Sequence, residues 1–149
     1  MARKRGQGSK WCAKDKRLAI YLRDGCECAY CGEVVIPGVN ATLDHLLACE
    51  LGGTNEEQNL VTACLSCNSA KQALTMRKWF AVLRANGKDA KKIGARIRRI
   101  TKRDLKQYRI VAKLQIAKFG YAGACEAILN SRLENESSRK AIMALKTAA

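Results

Sequence analysis

T-L-D-H-L-L-A-C-E-L-G-G-T-N-E-E-Q-N-L-V-T-A-C-L-S-C-N, residues 42–68, holds the only histidine of the chain, His45, directly after Asp44. The stretch closes on Cys64-x-x-Cys67 with Asn68 next, and a matching Cys28-x-x-Cys31 lies upstream. Two dithiol pairs at this spacing, in a chain with no disulfide context, match a closed tetrahedral zinc site that replaces part of the core a small domain lacks. The 32 residues between Cys31 and Cys64 exceed the roughly 15–20 of the common two-knuckle pattern. The excess is where a β-hairpin and His45 fall. Of the other cysteines, Cys12, Cys49 and Cys125 read as small hydrophobes or bystanders, and Cys26 stands as the alternative ligand to Cys28.

Outward from that stretch, composition bounds the answer. The chain has 149 residues, 48% hydrophobic and 5% aromatic, with a net charge of +15. That size and apolar content suit one compact domain with an appendage and an aliphatic, largely helical core. No apolar run approaches the roughly 20 residues that span a bilayer. No apolar segment follows the basic start, so it is not a secretory signal, and a cytosolic protein is expected.

Charge is distributed in blocks: +6 over residues 1–17, −6 over 18–69, +14 over 70–118 and +1 over 119–149. The zinc-stapled module is itself acidic, so a polyanionic partner must be attracted by the basic arm and by the segment from residue 70 onward. A charge of +14 in 49 residues exceeds what solubility requires.

The pattern predicts an α+β fold: a basic flexible arm (1–12), a zinc-stapled ββα module (13–85) and a basic helical extension (86–149). A short helix from Ala13 should end at Asp24-Gly25. Val34-Val35-Ile36, the Pro37-Gly38 turn and Ala41–Leu46 read as a hairpin, with Asn59-Leu60-Val61 as a short edge. Strand alternation would point Asp44 and His45 to opposite faces, so a bulge or loop is expected if both serve one site. The helix expected to start at Cys67 carries Met76, Trp79, Phe80 and Leu83 at helical spacing and stops at Asn86-Gly87. The next, from Asp89, sets Ile93, Ile97 and Ile100 on one stripe and is the most basic element. Thr101-x-x-Asp104 resembles a capping box where the chain restarts. Glycines 120 and 123 should interrupt the last helical region, leaving short helices near 124–132 and 138–146.

D-G-x-x-C-A-Y-C-G, L-D-H, G-G-T-N, N-L-V and C-L-S-C-N-x-x-K, running from Arg23 to Lys71, together resemble the HNH endonuclease family, in its subgroup with a four-cysteine zinc site. The resemblance covers about a third of the chain. It departs where many relatives place a proline soon after the histidine, for here Leu46-Leu47-Ala48 follow, and the third family letter is Asn68 instead of histidine.

The resemblance implies a structural Zn²⁺ on Cys28, Cys31, Cys64 and Cys67, and His45 as the general base that activates water. Asp44 and Asn68 would hold a catalytic Mg²⁺ or Mn²⁺, and Asn59 would pin the loop that orients His45. Hydrolysis of DNA phosphodiester bonds, with a duplex as substrate, is the expected outcome, and a phage, mobile-element or restriction origin would suit such a protein. Arg96, Arg98, Arg99, Lys102 and Arg103 are the expected phosphate contacts, the helices from Ala70 to Lys118 lying along the duplex. Lys71, one turn past Asn68, is either a further phosphate contact or a solvated helix charge. The competing reading is a non-catalytic zinc-stabilised nucleic-acid-binding module, which leaves the co-occurrence of Asp44, His45 and Asn68 without a reason.

Overall fold

The computed structural model describes residues 11–147, with side chains through residue 132; the basic arm up to residue 10 lies outside the described residues. The fold is α+β, as the pattern predicts. Helix α1 (Lys14–Arg23) buries Leu18, Ala19, Ile20 and Tyr21. It ends at Asp24, beyond which Gly25 takes φ +70°, the left-handed conformation that costs glycine least.

Strand β1 (Ala41–His45) pairs antiparallel with β2 (Leu60–Cys64), Ala41 opposite Cys64 and His45 opposite Leu60. The expected partner of β1 was the 34–36 segment. Instead, Val34 makes a single bridge to Glu27, and the amide of Val35 donates to the Cys26 carbonyl. The Cys28–Cys31 turn causes this, because closing it brings residues 33–35 back onto 26–28, with Cys28 N–H on the Glu33 carbonyl at 2.8 Å. The hydrogen-bonding edge of 34–36 is thereby used, and β1 is left for the fully buried β2.

Helix α2 (Leu65–Lys71) starts one residue after Cys64, which caps it, and not at Cys67. At Gln72 φ is +50°, so α3 (Met76–Ala85) is a separate helix capped by Thr75. Helix α4 (Ala90–Thr101) begins at Asp89 as expected, the Asp89 carboxylate accepting from Lys92 N–H. Helix α5 (Leu105–Thr147) restarts after Asp104, whose side chain accepts from Lys106 N–H. Thr101 is spent within α4, on the Ile97 carbonyl. Only Gly120, at φ +71° and ψ 171°, breaks α5. Gly123 does not, and the helix runs on through residues 132–138 where a gap was expected.

The two-stranded sheet, too small to be stable alone, lies between two cores. Leu43 and Leu60 face one formed by α1 and α5, with Cys12, Tyr21, Leu105, Ala112, Ala124, Cys125 and Ile128. Val61 and Ala63 face the other, with Tyr30, Val35, Trp79, Leu83, Ile97 and Ile100. Trp11 and Cys12, placed in the arm by sequence, are apolar and pack against the first core. Arg23 and Asp24 form a buried ion pair at 2.7 Å that joins α1 to β2: Arg23 also donates to the Glu57 and Leu60 carbonyls, and Asp24 accepts from Thr62 N–H. Among the described residues no helix is long and apolar enough to cross a membrane.

Candidate active site and metal centre

The sulfurs of Cys28, Cys31, Cys64 and Cys67 lie within 4.8 Å of one another. Two short turns bring them there. Gly32, at φ +77°, lets its N–H reach the Cys28 carbonyl, while the Tyr30 and Cys67 N–H groups donate to the Cys28 and Cys64 sulfurs, both at 3.4 Å. A Zn–S bond of about 2.3 Å in a tetrahedron separates sulfurs by about 3.8 Å, and Cys31 and Cys64 stand 3.9 Å apart. The donor set and its dimensions fit a metal ion such as zinc. Burial and neighbouring sulfurs push the Cys31 thiol up to about 11 and Cys67 higher still. Burial also acts on Cys64, but the Cys67 N–H and the surrounding thiols outweigh it and lower that thiol. Crowded thiols resist losing several protons together unless a cation neutralises them. Cys26 stands apart, buried in the first core with its thiol raised to about 11 by burial.

Asp44 sits on the face of β1 that meets the second core, 5% exposed. The Tyr30 hydroxyl donates to its Oδ2 at 2.5 Å, and Lys71 Nζ lies 3.1 Å from Oδ2 and 3.4 Å from Oδ1. Burial raises the Asp44 carboxyl above its usual range, against the pull of Lys71 and of the Tyr30 hydrogen bond. Burial and the facing carboxylate drive the Tyr30 phenol well above its usual value. Lys71 is therefore neither a phosphate contact nor a solvated charge. It is fully buried, and its ammonium also donates to the His45 carbonyl at 2.8 Å. The cause is register: the last turn of α2 packs over β1, and a buried carboxylate there needs a cation.

His45 points to the opposite face, as unbroken alternation requires, with no bulge in the ladder. Its Nε2 is 2.7 Å from Asn55 Oδ1, and its ring lies 4.9 Å from that of Trp11. Arg17 covers the Trp11 ring in turn, 5.4 Å from its centroid. Lys16 Nζ donates to the Asn55 carbonyl at 2.6 Å, tying this loop to α1. The loop itself is closed by Asn59, whose Nδ2 donates to the Leu47 and Thr54 carbonyls and whose Oδ1 accepts from Leu47 N–H. Gly53 is required by close approach, since a Cβ there would lie 1.7 Å from the Leu47 carbonyl oxygen. Trp11, Lys16 and Asn55 escaped sequence reasoning. For Asn55 a signal existed, as it is the polar end of the G-G-T-N turn.

Asn68 donates through Nδ2 to Thr42 Oγ1 at 2.9 Å and to the Leu43 carbonyl at 3.4 Å. Its Oδ1 is thereby the atom available to accept or to ligate. A cleft of about 220 Å³ runs along the unpaired edge of β1, with Trp11 and Arg17 on one side and Asn68 and Ser69 on the other. Of the four predicted catalytic residues only Asn68 lines it; His45 meets it only through its ring contact with Trp11.

The basic residues of α4 and of the turn that follows it are placed unequally. Arg98, Arg99, Lys102 and Arg103 are exposed. Arg96 is half-buried and pairs with Glu27 at 2.8 Å, and Arg132 holds the other oxygen of the same carboxylate. Arg103 also reaches the Arg23 carbonyl at 3.0 Å. Arg96, Arg99 and Arg103 line a second, polar cleft of about 340 Å³ beside Glu27.

Comparison with known proteins finds the HNH endonuclease family over residues 28–74. Over 64 residues, 42% of this chain, the sequence is 34% identical to the CRISPR-associated endonuclease Cas9 of Corynebacterium diphtheriae. The aligned part is 6% of that relative's length. No solved structure matches.

Proposed function

We propose, from the match of residues 28–74 to the HNH endonuclease family, that this chain is a metal-dependent endonuclease that hydrolyses DNA phosphodiester bonds, with His45 activating the attacking water. The observation that carries this is the His45 imidazole, turned out of the sheet with one nitrogen already committed. Asn55 Oδ1 accepts from Nε2–H, and the Cys49 thiol approaches the same oxygen at 3.8 Å. A neutral imidazole with its proton on Nε2 keeps its lone pair on Nδ1, the form a general base requires near neutral pH. Asn59 fixes the loop carrying Asn55, and Trp11 limits how the ring can swing.

Asp44 and Asn68 would hold a divalent cation through a carboxylate and an amide oxygen. The chemistry of that donor set suits Mg²⁺ or Mn²⁺ more than a second zinc. Such a cation supplies electrostatic stabilisation for charge developing on the phosphate and the leaving oxygen. The remaining work falls to the chain itself. Lys71 keeps Asp44 ionised in a buried site, Thr42 turns Asn68 so that its Oδ1 faces away from the strand, and His45 takes the proton of water. The four cysteines would bind Zn²⁺ and tie the Cys28–Cys31 turn to the end of β2 and to α2.

Arg98, Arg99, Lys102 and Arg103 would contact the backbone of duplex DNA, an attraction that the acidic module alone could not provide. In this division residues 13–85 cut and 86–149 grip. Reduced thiols at the zinc site suit an intracellular setting.

Cleavage of supercoiled plasmid by zinc-loaded protein, with and without Mg²⁺ or Mn²⁺, tests the reading beside His45→Ala. Metal-dependent nicking or linearisation that is lost in the variant, with DNA binding retained, is expected. Equal cleavage by both proteins would remove His45 from the mechanism, and binding without cleavage in either metal would favour a non-catalytic module.

A further inference from the structure

We propose that Tyr30 is a positioning residue that couples the four-cysteine centre to the carboxylate of Asp44, an inference that rests on the reading of Asp44 as a ligand for the catalytic cation. Tyr30 lies between two of the clustered cysteines, Cys28 and Cys31, and is 1% exposed. Its hydroxyl donates to Asp44 Oδ2 at 2.5 Å, within the range of a charge-assisted O–H···O⁻ bond.

The ring cannot easily turn away. Its backbone N–H is held on the Cys28 sulfur at 3.4 Å, and its ring packs edge-to-face with Trp79, with centroids 5.5 Å apart and planes at 83°. A tyrosine has only two side-chain torsions, so fixing the backbone and the ring fixes the hydroxyl. The terminal torsion of an aspartate is broad. Lys71 alone would let the carboxylate pivot about one ammonium. Tyr30 is the second anchor, and with Lys71 it fixes the orientation of the carboxylate.

The consequence is a mechanical link from one metal site to the other. Cys28 and Cys31 would be held to Cys64 and Cys67 by an ion on the four sulfurs, which would fix the turn that orients Tyr30, and Tyr30 orients Asp44. The thiolate centre then does more than hold the fold, because its integrity sets the affinity of a site that shares none of its ligands.

Tyr30→Phe removes the one oxygen and leaves the ring. Zinc content by atomic emission, the melting temperature, and Mn²⁺ affinity by calorimetry and electron paramagnetic resonance should be measured on zinc-loaded full-length protein. Zinc content is expected to be unchanged while Mn²⁺ binds about 10–100-fold more weakly, the usual cost of losing a hydrogen bond to a ligand. The Mn²⁺ concentration for half-maximal cleavage should rise by the same factor, with the rate at saturating Mn²⁺ little altered. A merely structural role would lower the melting temperature without moving Mn²⁺ affinity, and that result overturns the proposal.

Asp44→Asn separates this failure from failure of the underlying reading. If it binds Mn²⁺ as tightly as the parent protein does, Asp44 is not a ligand and both statements fall. If only Tyr30→Phe is without effect, the coupling alone falls. Should Tyr30→Phe not fold, the parent protein with the larger Cd²⁺ ion on the thiolates gives the same test: wider spacing of Cys28 and Cys31 should weaken Mn²⁺ binding, and an unchanged affinity overturns the coupling.

Discussion

Lys71→Met distinguishes a buried counter-ion from a phosphate contact. Lys71 has no solvent exposure and its ammonium lies 3.1 Å from the carboxylate of Asp44, whose side chain is 7% exposed. Removing one member of such a pair leaves an uncompensated buried charge, a loss of about 3–5 kcal/mol. At about 2–4 °C per kcal/mol for a domain near this size, the melting temperature should fall by roughly 6–20 °C. Adding Asp44→Asn should restore much of the loss, since the neutral pair has no orphaned charge, with a coupling on the order of 1–3 kcal/mol. Thermal melts of the four zinc-loaded proteins, without other divalent cations, complete the cycle. A Lys71→Met protein that melts like its parent yet binds DNA more weakly would refute the argument and return Lys71 to the nucleic-acid surface.

Asn55→Ala should leave the melting temperature nearly unchanged, since Asn55 is exposed, but lower the cleavage rate about 10–100-fold, part of the 10²–10⁴ that a general base provides; an unaltered rate would mean that Asn55 does not set the imidazole tautomer. Reversing Arg98 and Arg99 together should weaken duplex binding and reduce the slope of log affinity against log salt by about 2. A slope equal to that of the parent would place the DNA elsewhere. Arg96 is left out of that test because it is committed to Glu27.

What could be read from sequence was whatever local spacing dictates. C-x-x-C pairs define a sulfur cluster at any distance, Asp89 starts α4 by capping an amide three residues on, and Asp24-Gly25 stops α1 by backbone geometry. The partner of β1 was not legible, because Val34–Ile36 and Leu60–Cys64 are both β-branched or apolar and only closure of the knuckle decides between them. Lys71 was misjudged for a related reason. Its burial depends on how α2 lies over β1, and a lysine beside other polar residues carries no mark of a carboxylate 27 positions earlier in the chain. Trp11 was lost to the charge of its neighbours, although a tryptophan at the edge of a basic arm is itself a sign of packing. Asn59 was singled out by its place in the family pattern, and its three hydrogen bonds across the loop give that place a physical content.

The sharing of the first core between α1 and α5 bears on how portable the HNH-like segment is. Residues 28–74 look like a cassette, yet Leu43 and Leu60, on the strands that carry the site, rest against side chains from both ends of the chain. Glu27, at the door of the knuckle, is held by one arginine from α4 and one from α5. Excising the cassette would strip one side of the two-stranded sheet bare, take Trp79, Leu83, Ile97 and Ile100 from the other, and part the knuckle from the glutamate that ties it to α4 and α5. In this protein the sequence signature of the domain and its folding unit are different lengths of chain, and transplanting the chemistry means transplanting the helices on either side of it.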